Sequence, residues 1–365
     1  MATEFANVIS ADSHVMEPTD IYWKALGSKY GDRTPRDIDQ HLGVKGNFFF
    51  TGKQVLMRGE GDKTQAEKGL RPAGFLPEKR VEFQERAAVT AEVLYATGFL
   101  IMMQSQDTEA LQASAQVFND WLADFCAYDK KRLLGVGMVP THDPAWAARE
   151  LERVVKRGLI GACINLQGPA GGAPYRDRSY DPLWAKAEEL DLPLTLHSIT
   201  GRVPDPYHVY TQREREEVVG NLLALGFEIQ AALANDFIFG TILDRFPRLR
   251  LICSEFEIAW IPRFLWFIDQ VLVTRASRIA LPPLKMKPSD YMKTRIWHGM
   301  IDDPFAAQVI QPVGPDRILW GSDFPHVRSI GLETQTRLKA LFADLARPEQ
   351  ERIVGGNVAK LYRLN

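Results

Sequence analysis

Eight short runs of apolar and β-branched residues recur along the chain, and segments with helical character lie between most of them. Buried strands that alternate with helices indicate a parallel sheet, and eight strands close a (β/α)8 barrel. The alternative, an open doubly wound sheet, is disfavoured because no GxGxxG follows the first run. We therefore predict an α/β protein with a TIM-barrel fold, whose strands occupy residues 8–12, 93–96, 133–139, 161–165, 192–197, 249–254, 294–298 and 317–322.

Two connections between the predicted strands are much longer than the usual two to six residues. They follow the first and the fifth strand, and insertions at these places in a barrel shape the pocket above it. Length alone does not require a second domain, because barrels of this size fold as one unit. We therefore expect a single domain over residues 1–365, with long insertions after strands one and five.

Charge and hydropathy exclude some classes of partner. The chain has 44 basic and 46 acidic side chains, a net charge of −2, which gives no reason to expect nucleic acid or an anionic membrane as a partner. No run of about 20 apolar residues is available to span a bilayer. The first residues lack the basic and apolar regions of a signal peptide. We therefore expect a cytoplasmic protein.

Residues with catalytic or metal-binding side chains are concentrated at the carboxyl ends of the predicted strands. In a barrel these ends meet at one rim, where barrel active sites are built. Any one such residue has an ordinary structural explanation, but six at equivalent positions predict one shared site. They are His14, His197, Glu255, His298, Asp323 and His326.

Three motifs carry a resemblance to a known family: DSH at 12–14, LTLH at 194–197 and WGSDFPH at 320–326. With them the chain resembles the amidohydrolase superfamily, in the branch that includes aminocarboxymuconate semialdehyde decarboxylase. The resemblance covers essentially the whole chain. It implies a metal-dependent barrel enzyme in which a divalent metal is bound by residues matching Asp12, His14, His197 and Asp323.

Two positions depart from the pattern of that family. Asp12 stands where much of the superfamily has histidine, and Glu255 stands about where the decarboxylase branch has a catalytic histidine. Strand four ends in Asn165, with no lysine after it to bridge two metals. The family's assignment of acid and base therefore cannot be copied onto this chain.

The number of carboxylates raises the question of a second metal. Asp12, Glu17, Glu255 and Asp323 together carry four negative charges, and one divalent ion would leave two of them uncompensated in a partly dry site. Two ions would bring the sum to zero, with Glu17 and Glu255 as additional ligands. Alternatively these glutamates pair with nearby arginines. We expect one or two ions of zinc, manganese or iron.

Further residues near the strand ends are candidates for catalysis and substrate binding. The resemblance implies that Asp323 accepts a proton from metal-bound water. His298 and His326 are candidates for proton transfer, because an imidazole titrates near neutral pH. Arg328 could hold a substrate carboxylate with two hydrogen bonds, and Trp297 could line the pocket.

These observations favour hydrolysis of a small organic substrate by metal-activated water as the main activity. Three alternatives stay open: non-oxidative decarboxylation of a small unsaturated or aromatic acid, oxygenation at a dinuclear iron or manganese centre, and a non-catalytic subunit. The last would pair with a homologous barrel. We also expect an oligomer, formed with copies of the chain or with a related barrel subunit.

Overall fold

The computed structural model describes residues 4–18, 20–41, 43–50, 55–58, 70–201, 220, 223–224 and 226–364. In this part of the chain the strands are β1 (Ile9–His14), β2 (Arg36–His41), β3 (Val44–Phe50), β4 (Val55–Arg58), β5 (Ala91–Tyr95), β6 (Leu133–Val139), β7 (Gly161–Ile164), β8 (Leu194–His197), β9 (Leu251–Ser254), β10 (Ile296–Met300) and β11 (Ile318–Trp320). β1 and β5 to β11 form one parallel sheet, in chain order. These eight strands correspond to the eight predicted runs and confirm the barrel.

Helices surround the sheet. In the described chain, α-helices occupy Asp20–Tyr30, Pro77–Ala87, Gly98–Met102, Thr108–Cys126, Pro144–Lys156, Asp181–Glu189, Ile242–Arg245, Ile261–Trp266, Ala276–Ile279, Pro288–Thr294, Ala306–Val313, Thr334–Leu341, Arg347–Glu351 and Asn357–Tyr362, and residues 226–232 are also α-helical. Wider π-helical turns occupy Leu233–Ile238, Phe267–Leu272 and Arg352–Gly356. Strands β5 to β9 are buried along their whole length, as expected for a sheet covered by helices on its outer face.

The helix Pro144–Lys156 shows how local sequence sets these boundaries. The Asp143 carboxylate accepts hydrogen bonds from the first free backbone N–H groups, and Pro144 suits the first turn because it needs no N–H donor there. Gly158, at φ +84°, lets the chain turn away after the last residue. An apolar stripe that includes Leu151 and Val154 is buried against the barrel.

The barrel closes between β1 and the segment that follows β11. The backbone N–H of Asp323 donates to the carbonyl of Asp12 (2.8 Å), and the N–H of His14 donates to the carbonyl of Phe324 (2.7 Å). A side chain on Gly321 would place a Cβ 2.4 Å from that of Asp12, so the close approach requires glycine there. The same hydrogen bonds therefore complete the barrel and bring two predicted metal ligands together.

The first predicted insertion lies between β1 and β5, and its buried Tyr22, Phe49 and Phe83 belong to the same hydrophobic core as the barrel strands. It contains the helix Asp20–Tyr30, the antiparallel three-stranded sheet β2-β3-β4 and the helix Pro77–Ala87. The second lies between β8 and β9. Its charged run at 213–217 is outside the described residues. None of the described helices is long and apolar enough to cross a membrane.

A fully buried ion pair fastens the helix Pro77–Ala87 to the closure. Arg80 lies against Glu92 of β5, with Nη2 3.1 Å from Oε1, and both side chains are inaccessible to solvent. Its Nη1 donates to the carbonyl oxygen of His14 (2.7 Å), and its guanidinium lies over the ring of Phe324. One arginine thus contacts both chain segments that meet at the closure.

We expect Arg80→Met to lower the free energy of unfolding by about 3 to 5 kcal/mol, because it leaves the Glu92 carboxylate buried without its partner. Urea denaturation measures this change. Lys79→Met is the matched control, since Lys79 pairs with Glu82 on the surface and such pairs contribute under about 1 kcal/mol. Equal losses in the two variants would contradict the role of the buried pair.

Candidate metal centre

Asp12 and His14 occupy the carboxyl end of β1, two residues apart, so both side chains face the barrel interior. The Nδ1 atom of His14 lies 2.7 Å from the carbonyl oxygen of Ala96, which can only accept, so Nδ1 carries the hydrogen. This leaves Nε2 with its lone pair directed into the site. That atom lies 3.3 Å from Oδ1 of Asp12 and 3.3 Å from Oδ1 of Asp323.

His197, the last residue of β8, and Asp323, just after β11, complete the set. The Nε2 atom of His197 lies 3.4 Å from Oδ1 of Asp12, and its Nδ1 faces the carbonyl oxygen of Ser198 at 3.2 Å. Asp323 adopts φ +54°, a left-handed conformation that is uncommon for a residue other than glycine. Its backbone is held there by the hydrogen bond to Asp12 that closes the barrel.

These donor atoms fit a divalent cation. Ligand atoms about 2.1 Å from one ion lie about 3.0 to 3.4 Å apart in octahedral or tetrahedral geometry, which matches the spacings above. Oδ2 of Asp12 and Nε2 of His14 are buried without a hydrogen-bond partner among the described residues. Unsatisfied buried polar atoms are costly, and an ion would satisfy both.

The geometry favours one ion. In the described chain, two groups of side chains bring their donor atoms within 4.8 Å of one another: Asp12, His14 and His197, and His14, Asp323 and His326. Both groups include His14. Because its Nδ1 is bonded to Ala96, only Nε2 is free to bind metal, and one lone pair binds one ion.

The pKa shifts of Asp12, His14 and His197 are consistent with their assignment as candidate metal ligands. Burial raises the pKa of Asp12, but the charge and the hydrogen bond of His197, together with the nearby His14 ring, outweigh it and hold that pKa well below its usual range. Burial and the nearby His326 lower the pKa of His14 and keep it neutral. Burial lowers the pKa of His197, but the Asp12 carboxylate outweighs it and raises the pKa to about 9. An ion would displace that proton, since ligand histidines are neutral.

Glu255 and His326 lie beside the four donors. The Ser198 hydroxyl donates to Oε2 of Glu255, which lies 3.5 Å from Nδ1 of His197. Burial and then the Asp323 carboxylate raise the pKa of Glu255 to about 7. The Nδ1 atom of His326 is 2.7 Å from Oδ1 of Asp323. Burial lowers the pKa of His326, but its hydrogen bond to Asp323 and the charge of that carboxylate outweigh this and raise it.

The structure corrects the prediction of Glu17 as a metal ligand. Its Oε1 accepts the backbone N–H of Phe99 at 2.7 Å, and its Oε2 accepts that of Thr97 at 3.3 Å. Both oxygens are therefore used to hold the chain at the start of the helix Gly98–Met102. This carboxylate is compensated by backbone donors, so the charge argument for a second ion loses one of its four negative charges.

His298 is not in the site, which corrects the prediction of a catalytic role. His197 is paired with Ser254 across β8 and β9, and Cys253, one residue earlier, faces the opposite side. His298 is paired with Cys253 and so faces outward, where its Nε2 contacts the carbonyl oxygen of Met292 at 3.1 Å. Gly299 takes the inward position at the level of His197.

Trp297 and Arg328 were both predicted to contact the substrate, and the structure places them differently from each other. Trp297 lies near the start of β10, against the guanidinium of Arg317, at the end of the barrel opposite the candidate metal ligands. This corrects its assignment to the substrate pocket. Arg328 lies on the expected side, but it is largely exposed and pairs with Glu257 at 3.1 Å. A role in binding a substrate carboxylate stays a prediction.

The sequence interpretation missed two hydroxyl groups in the site. Thr97 places its Oγ1 3.1 Å from Nε2 of His326, and Ser198 donates to Glu255. Thr97 lies two residues after β5 and Ser198 directly follows β8. The same rule of strand ends that identified the histidines would have found both.

A parallel eight-stranded barrel with a carboxylate and histidine metal site at the carboxyl ends of its strands defines a class of metal-dependent enzymes. The chain belongs to the amidohydrolase family, whose sequence model matches residues 14–364. The predicted family is therefore confirmed.

The relatives identify a branch of the family. Gamma-resorcylate decarboxylase of Polaromonas sp. strain JS666 is 26% identical over 321 residues, covering 80% of this chain and 94% of the relative. The 2-amino-3-carboxymuconate-6-semialdehyde decarboxylase of Dictyostelium discoideum is 22% identical over 346 residues, covering 94% of this chain and 89% of the relative. The expectation of hydrolysis as the main activity is wrong, because these relatives are decarboxylases.

Solved structures share the fold over nearly the whole chain. An amidohydrolase from Mycobacterium avium subsp. paratuberculosis K-10 superposes with a TM-score of 0.80 at 19% identity, covering 99% of this chain and 100% of the other. Dihydroxybenzoic acid decarboxylase from Polaromonas sp. JS666 has a TM-score of 0.69 at 22% identity, covering 98% and 97%. That structure contains manganese and the inhibitor 2-nitroresorcinol.

We expect His197→Ala and Asp323→Asn to lower the affinity for Mn²⁺ at least about tenfold, because each removes a donor atom. Elemental analysis after dialysis against graded Mn²⁺ measures this, and the parent protein should bind one equivalent. Glu17→Gln and His298→Gln should keep their metal. Loss of metal in either of those variants would contradict the placements described above.

Proposed function

We propose that this protein is a metal-dependent, non-oxidative decarboxylase of a small aromatic or unsaturated carboxylic acid. The observation that carries the proposal is the cluster of donor atoms from Asp12, His14 and His197, with Oδ1 of Asp323 3.3 Å from Nε2 of His14. Two of these donors, Oδ2 of Asp12 and Nε2 of His14, are buried without a hydrogen-bond partner among the described residues. The relatives with 26 to 28% identity over much of the chain are gamma-resorcylate decarboxylases, which supports the reaction class.

The four donors would hold one divalent ion. When bound, it supplies positive charge that stabilises an anionic oxygen of the substrate. His14 is fixed for this purpose by its hydrogen bond to Ala96, and His197 by its contact with the carbonyl of Ser198. These contacts orient both rings, as is usual for histidine ligands.

The reaction needs a proton at carbon. Loss of CO2 breaks the bond between the carboxyl carbon and its neighbour, and the electron pair stays on that neighbour until a proton forms the new C–H bond. Two groups can hold such a proton. One is the pair of His326 and Asp323, joined at 2.7 Å, and the other is Glu255 above His197. Both lie beside the donor atoms that would hold the ion.

Carbon dioxide release in a sealed cell, with 2,6-dihydroxybenzoate and 5-carboxyvanillate as first substrates, tests the proposal. In D2O the product should carry one deuteron at the carbon that lost the carboxyl group. Asp323→Asn should reduce turnover at least about 100-fold, because it removes a ligand and a proton acceptor. His298→Gln is the control, and it should retain turnover.

Other results of the same experiment would replace the proposal. Dioxygen uptake without CO2 release would favour the dinuclear oxygenase. Full metal loading without exchangeable water at the metal, and with no turnover of any acid, would favour a non-catalytic subunit, because a closed coordination sphere is typical of structural sites.

Glu255→Gln separates a proton-transfer role from a metal-binding role. Glutamine keeps the shape of the side chain and can still accept the Ser198 hydrogen bond, but it cannot deliver a proton. We expect kcat to fall about 100-fold or more while the metal content stays at one equivalent. Steady-state kinetics together with elemental analysis check this. A loss of metal instead would make Glu255 a ligand.

A further inference from the structure

A cavity of about 210 Å³ opens at the end of the barrel opposite the candidate metal centre. Its walls come from residues that directly precede β9 and β11, from the start of β10 and from the helix Asn357–Tyr362. A water molecule takes up about 30 Å³ of liquid volume, so there is room for a polyatomic ligand. The side chains that matter for the argument are Arg250, Trp297, Asp316, Arg317, Lys360 and Arg363.

The charges around this cavity do not balance within the described chain. Arg250 and Arg363 share one carboxylate, that of Asp191. The carboxylate of Asp316 pairs with Arg352 at 2.9 Å. The guanidinium of Arg317 and the ammonium of Lys360 have no ion pair with a described residue, and the walls therefore carry a surplus of positive charge. Such a surplus is unexpected in a chain whose net charge is −2.

Arg317 is held in place as a binding group. Its guanidinium lies 4.5 Å from the ring centre of Trp297, and its two Nη atoms donate to the carbonyl oxygens of Asp316 and Thr294. Its Nε is buried and makes no hydrogen bond to any described residue. A buried donor without an acceptor is costly, so an acceptor supplied from outside the chain would stabilise this arrangement.

We propose that this cavity binds a small oxyanion, namely a phosphate group, either free or as a monoester. Guanidinium groups offer several N–H donors in fixed directions, which suit the oxygens of phosphate. The anion would neutralise the surplus charge and link β9, β10 and β11 to the helix Asn357–Tyr362, so that binding stabilises the fold.

Calorimetric titration of the manganese-loaded protein with inorganic phosphate, in chloride buffer of constant ionic strength, tests the proposal. We expect one saturable cavity site and a rise in melting temperature. Arg317→Gln should weaken binding about tenfold or more. Lys360→Gln should weaken it about threefold, and because Lys360 is exposed its loss does not threaten folding. Lys130→Gln, an exposed lysine elsewhere, should leave affinity unchanged.

Phosphate could also bind the metal, and the variants separate the two sites. Binding at the metal would be lost in His197→Ala and kept in Arg317→Gln, whereas binding in the cavity behaves the opposite way. Methyl phosphate distinguishes a monoester ligand from free phosphate, and binding of either supports the site. The proposal is overturned if no saturable binding survives in His197→Ala, or if Arg317→Gln and Lys360→Gln both bind as the parent does.

Discussion

The closure of the barrel between β1 and the segment after β11 is the constraint on which the site depends. Two backbone hydrogen bonds join Asp12 to Asp323 and His14 to Phe324, and three of these four residues are candidate metal ligands. Arg80 donates a hydrogen bond to the carbonyl oxygen of His14 and forms an ion pair with Glu92, and both side chains of that pair are fully buried. The positions of the candidate ligands and the stability of the fold are therefore set by the same contacts.

The sequence predicted the fold and brought most of the candidate donor residues to one rim, because both depend on short-range patterns. Each barrel strand is a short apolar run in the sequence, and the first polar residue after the run marks the end of the strand. In a barrel all eight strands point the same way, so a strand end in the sequence is also a position on the rim. His14 at the end of β1, His197 at the end of β8 and Asp323 after β11 follow directly from that rule.

The predictions for His298 and Glu17 were wrong because the position of each side chain depends on strand register or on partners far away in the sequence. His298 is only two residues from the end of β10, but alternation along a strand means that a shift of one residue turns a side chain to the opposite face. Gly299, not His298, is level with His197, and only the pairing with β9 reveals this. The prediction of Glu17 as a metal ligand was wrong for a different reason. Its partners are backbone N–H groups of Thr97 and Phe99, which carry no signature in the sequence.

Glu255 is the main departure from the family pattern. Its role can be inferred from the hydrogen bonds that the neighbouring His197 and Ser198 make. The ring of His197 needs an acceptor at Nδ1, and the carbonyl of Ser198 provides one at 3.2 Å, nearer than the Glu255 carboxylate at 3.5 Å. The tautomer of His197 therefore does not require Glu255. Its Oε2 accepts the Ser198 hydroxyl beside Nδ1 of His197, and about a quarter of the side chain is exposed. A carboxylate that is not needed to orient His197, yet is partly exposed at the rim, is available for the proton transfer proposed above.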